Sequence, residues 1–93
     1  MTAYQLEAEV HMLDKSTLFI FDYTFSDGSH SYIYHWQDEA GRLRCRWDNA
    51  PHYPHISTHP YHKETPGSLE ECLPMNLNKV AEEIREGMSR FNP

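Results

Sequence analysis

The chain has 93 residues, a formal charge of −6 and an aromatic content of 13%. That length supports one small α+β domain over residues 1–93, burying roughly 60–65% of the surface its unfolded chain exposes, and leaves no room for a second core. The acidic balance argues against a general nucleic-acid coat protein, although net charge does not say where the charges sit.

The first half alternates in the manner of strands. Tyr4, Leu6, Ala8, Val10 and Met12 interleave with Gln5, Glu7, Glu9 and His11, which predicts a half-buried strand. "STLFIFDYTF" (16–25) is rich in aromatic and β-branched residues and reads as a central strand. "SDGS" (26–29) makes a turn, with Asp27 and Gly28 suited to positive φ. "SYIYHW" (31–36) is a third strand, "QDEAG" (37–41) turns the chain, and "RLRCRW" (42–47) is a fourth. Short connections between successive strands favour a four-stranded antiparallel meander.

Beyond Trp47 prolines at 51, 54, 60 and 66 break regular structure. A stretch of about twenty such residues in a small domain predicts a functional loop. Trp47, Tyr53, Ile56 and Tyr61 can tether it to the sheet. "SLEE" (68–71) has the form of a capping box and predicts a short helix ended by Pro74. Asn76 can cap a longer helix, in which Leu77, Val80, Ala81, Ile84 and Met88 share one face. Glu82, Glu83, Arg85 and Glu86 are expected to face solvent, and the tail from Ser89 to fray. Both helices should cover the sheet.

No basic N-terminal region precedes an apolar run, and no stretch is apolar enough to span a bilayer. A cytoplasmic chain is expected, with Cys45 and Cys72 reduced. The first strand, if it lies at a sheet edge, could pair across a homodimer.

Two features point to chemistry. On the fourth strand Arg42, Arg44 and Arg46 recur every second residue, which would line up three guanidinium groups on one side. Their planar forks suit phosphate, but the pattern equally fits a solvated strand face paired with Glu7 or Glu9. The adjoining "RWDNAPHYPHISTHPYHK" (46–63) holds four of the seven histidines. The spacing of His52, His55, His59 and His62 superficially resembles a metal-ligand set, yet a proline-rich loop offers little rigidity to make ligands converge. Imidazole can also exchange protons at neutral pH. Metal-independent ribonucleolytic cleavage would take His52 and His62 as the acid–base pair, with Arg46 and Lys63 supplying positive charge. Arg42, Arg44, Asn49, Tyr53 and Tyr61 are then candidate substrate contacts. Alternatively the histidines are surface residues stacked on Tyr53 and Tyr61. Asp48 and Asn49 read as a turn that ends the strand, and Trp47 as core. GxSxG, GxxxxGK[ST] and HExxH are all missing, and nothing calls for a cofactor.

The run "HWQDEAGRLRCRWDNAPHYPHISTHPYHK" (35–63) resembles the TumE-like family of small bacterial and archaeal proteins. Gln37, Asp38, Gly41, Leu43, Arg46, Trp47, Asp48, Asn49, Ala50, Pro51, His52, Pro54, Thr58, Pro60, His62 and Lys63 match its pattern. The departures are Tyr53, His59, Tyr61 and Glu64, with His55 where the family tends to have glutamate. The richest histidine clustering is therefore partly peculiar to this chain, and His52, His62 and Lys63 form the better-supported polar set. The resemblance implies a toxin of a toxin–antitoxin pair, encoded beside and neutralised by a DNA-binding antitoxin. Three readings remain: an RNA-directed inhibitor and a non-enzymatic module docking protein or nucleic acid, both favoured by the arginine stripe, and a histidine-loop metal binder, favoured by the histidine spacing alone.

Overall fold

The computed structural model describes the backbone of residues 1–91 and the side chains of residues 1–88. One antiparallel sheet carries six strands in sequence order: β1 (Thr2–His11), β2 (Thr17–Phe25), β3 (His30–Gln37), β4 (Leu43–Asp48), β5 (His62–Thr65) and β6 (Ser68–Glu71). Among the described residues a single helix, α1 (Leu77–Phe91), covers one face.

The first four strands form the expected meander, but the sheet does not stop there. Residues 62–65 and 68–71 make a further hairpin, so the expected short helix at "SLEE" is a strand. Pro66 and Gly67 form its two-residue turn, and Gly67 takes a φ of +75° that a side chain would resist. The real helix starts where Asn76 was expected to cap it: its Oδ1 accepts the Lys79 amide at 2.9 Å. It runs on through Ser89 to Phe91, so the backbone does not fray at Ser89, while the side chains of 89–91 lie outside the described residues. No helix among the described residues is long and apolar enough to cross a membrane.

Cross-strand register builds the core. Ile20, Tyr34 and Trp47 stand side by side, as do Leu18, Trp36 and Cys45. Val80 and Ile84 of α1 close over these two rows, and all eight side chains are buried. Gly87 lets the helix approach: a Cβ there would sit 3.0 Å from two carbons of the Trp36 ring. The hydroxyl of Tyr32 accepts the Met75 amide at 3.2 Å, tying the link before α1 to the sheet.

A polar cluster closes one end of this core. Trp36 Nε1 donates to Ser16 Oγ at 2.9 Å, Ser16 Oγ donates to Asp14 at 2.5 Å, and Arg44 Nη1 donates to Asp14 at 2.7 Å. Burial opposes ionisation of Asp14, but its bonds from Ser16 and Arg44 outweigh that, holding the carboxyl down from 3.8 to about 2. A lowered folded-state pKa adds stability above the unfolded value, and that stability is lost as pH falls from about 4 towards 2. Asp14→Asn should therefore cost about 2 kcal/mol at neutral pH. Urea denaturation should show the gap closing near pH 2; a gap independent of pH would refute the assignment.

Candidate functional site

The face away from α1 gathers the polar residues. Antiparallel register sets His35 of β3, Arg46 of β4 and Glu64 of β5 in one row, with Ile33, Asp48 and His62 in the next. Arg46 Nη1 lies 3.3 Å from His35 Nδ1, and His35 Nε2 lies 3.1 Å from Gln37 Oε1. A guanidinium only donates and an amide oxygen only accepts, so His35 carries its hydrogen on Nε2. Arg46 Nε also faces Asp48 Oδ2 at 3.5 Å. The other Asp48 oxygen accepts the Ala50 amide at 2.8 Å, which starts the loop as β4 ends.

His62 is sealed beneath that loop. Only 1% of the residue is exposed, and the Tyr53 ring meets its imidazole edge-on at 4.9 Å. His62 Nδ1 lies 3.1 Å from the Pro60 carbonyl, to which it must donate. Its buried Nε2 makes no hydrogen bond among the described residues, though Glu64 Oε1 lies 3.5 Å away and Asp48 Oδ2 4.0 Å. Leaving such an atom without a hydrogen bond costs about 1–3 kcal/mol. Tyr53 also touches His52 and His55 edge-on, both with centroids 6.3 Å away, so one phenol ring organises three histidines.

The other sequence candidates divide between places. Lys63 follows His62 along β5 and so points to the helix side, beside Trp47. Burial works against its charge, but Glu83, Cys45, Cys72 and Glu70 together outweigh it and hold the ammonium above its ordinary pKa. Lys63 Nζ lies 3.5 Å from Glu83, which also accepts the Trp47 indole N–H at 2.5 Å. Glu83 is thus a tie between helix and sheet, not the solvent-facing residue expected.

The arginine stripe does not form. A register shift between Trp36 and Gln37 interrupts the alternation of β4. Arg44 lies over the Trp36 ring at 5.0 Å from its centroid, on the helix side. Arg42 precedes β4 and pairs with Asp38 at 3.1 Å, leaving Arg46 alone of the three on the open face.

Asn49 accepts the Tyr32 amide at 2.9 Å and donates to the His30 carbonyl at 2.7 Å, clipping the loop to β3. Tyr61 stacks on Tyr32 at 6.5 Å, away from His62. His52, His55 and His59 are exposed, and no group of three or more His, Cys, Asp or Glu side chains among the described residues could hold a metal ion. The four-histidine set therefore does not converge. Burial pushes the Cys45 thiol up to about 12, so it is no nucleophile. Two residues that the sequence did not single out as site candidates, His35 and Glu64, flank Arg46. Pairing "SYIYHW" with "RLRCRW" in antiparallel register would have found the first.

Fold and site together define a small α+β protein whose meander sheet has one face closed by a helix and the other left open, with Phe19, Phe21 and Ile33 among its polar residues. The chain belongs to the TumE toxin family: the family model described as Toxin TumE matches residues 1–88. No curated protein and no solved structure matches it significantly. Membership supports a toxin role and implies a cognate antitoxin.

Proposed function

We propose that the chain is a toxin directed at RNA, which it cleaves without a metal ion on the open face around His35, Arg46 and His52. The observation that carries this reading is the contact of Arg46 with His35, both half exposed, backed by the buried carboxylate of Asp48. Phe19 lies beside His35 with ring centroids 6.1 Å apart and gives a base a surface to stack on.

In this reading Arg46 takes the phosphate oxygens and balances the charge that builds on phosphorus. One of His35 and His52 removes the ribose 2′-hydroxyl proton, and that oxygen attacks phosphorus. The other gives a proton to the leaving 5′-oxygen as its bond to phosphorus breaks. The products are a 2′,3′-cyclic phosphate and a 5′-hydroxyl. Asp48 and His62 are positioning residues: the first holds Arg46, and the second sits under the loop that carries His52. Lys63, on the other side of the sheet, takes no part.

The test is induced expression of the wild type beside the His35→Ala, His52→Ala double variant, following growth and total RNA together. Wild type should arrest growth and leave cyclic-phosphate ends, and purified protein should cleave RNA in the presence of EDTA. The double variant should cleave at least a hundredfold more slowly, the scale of general acid–base catalysis. Arrest with intact RNA would overturn the reading and favour a docking module.

A further inference from the structure

We propose that the outer edge of β1, with the apolar groove between β1 and α1, receives an extended segment of the antitoxin as a seventh strand, with apolar and basic side chains alternating along it. Only the antitoxin's existence is taken from family membership; the surface is argued from the residues, independently of the RNA reading.

β1 is an outermost strand of ten residues with one side unpaired. Such an edge offers a row of unused amides and carbonyls to another chain. Several usual protections are missing: β1 is long, contains no proline or lysine, its one irregular step lies at its start between Thr2 and Tyr4, and α1 leaves it partly open, with Tyr4 52% and Val10 39% exposed. Beside it lies a groove of about 440 Å³, lined by Val10, Met12, Leu77, Ala81 and Met88 among others and almost wholly apolar.

The two faces of β1 differ in charge. Tyr4, Leu6, Ala8 and Val10 lie on the helix side with the groove, whereas Glu7 and Glu9 lie on the open face. Both glutamates are exposed; Glu7 accepts from the Tyr23 hydroxyl, and Glu9 meets His11 at 2.8 Å. An added strand would alternate likewise, sending apolar side chains over the groove and the intervening ones beside Glu7 and Glu9. Lysine or arginine at those positions matches the charge.

A second copy of this chain fits poorly in the central registers, which would pair the most residues. Antiparallel two-fold pairing centred on Glu7, Ala8 or Glu9 sets a glutamate directly opposite a glutamate. The same acidic end of the open face repels phosphate, which separates this edge from Arg46.

Hydrogen exchange of the full chain, alone and with its purified antitoxin, tests the proposal. Protection should appear across amides 2–11, and the free chain should sediment as a monomer. Glu7→Lys with Glu9→Lys should weaken antitoxin binding at least tenfold, and Ala81→Glu should do so from the groove side. All three positions are exposed, so circular dichroism should be unchanged. Protection confined to 46–64, unaltered affinity in both variants, or a dimer closed through β1 would each overturn it. None of these readings involves RNA, so they stand apart from the outcome of the cleavage test.

Discussion

Trp47→Ala is expected to destabilise the protein by about 4 kcal/mol, close to the whole stability of a domain this small. The side chain is 1% exposed, stands between Tyr34 and Lys63 in the sheet, and gives its indole N–H to Glu83 of α1. Truncation leaves a cavity beneath the helix and removes the donor that orients Glu83, so Lys63 loses its orientation as well. Trp47→Phe keeps most of the volume and loses only the N–H, so it should cost about 1–2 kcal/mol. Chemical denaturation of both variants, with the remaining buried Trp36 as the fluorescent probe, separates the two contributions. Equal losses would mean that the hydrogen bond, not the volume, carries the effect.

Asp48→Ala should cost about 2 kcal/mol, because the Ala50 amide loses its acceptor and half-exposed Arg46 loses its carboxylate partner. Asp48 is 4% exposed; it holds Arg46 through one oxygen and the Ala50 amide through the other. Asp48→Asn can still accept that amide and gives up only the charge, so it should cost about half as much. The alanine variant should also expose the loop to protease, since the turn that leads the chain over His62 loses its cap. A loss below about 0.5 kcal/mol in Asp48→Ala would mean that the pair contributes no more than a surface salt bridge.

Much of this architecture was legible from residue order. The alternation in 4–12, the aromatic run after Ser16 and the glycine turns at 28 and 41 placed four strands within a residue or two. Asn76 and the spacing of Val80, Ile84 and Met88 placed the helix. What misled was the local chemistry of 62–71. Strands of four residues carry too little alternation to be seen, and Ser68 with Glu71 mimics a helix cap whose neighbours in space are in fact strand partners. Once β5 is a strand, adjacent His62 and Lys63 must face opposite sides, and the proposed catalytic set divides. The arginine stripe failed for a different reason: one irregular step opposite Trp36 lets Arg44 join Asp14. Glu83 could not be read at all, because its indole partner lies 36 residues away.

Every strand of this sheet pairs with its neighbour in sequence. Such local wiring lets a growing polypeptide zip up one hairpin after another, with little loop-closure entropy at each step. The ribosome delivers the edge of β1 first and α1 last of the described elements. Until α1 emerges, Trp36 and Trp47 lack their cover, so the tertiary fold cannot close. A neutralising protein that recognises the β1 edge therefore meets the backbone half of its site during synthesis, and the groove half only once α1 has packed.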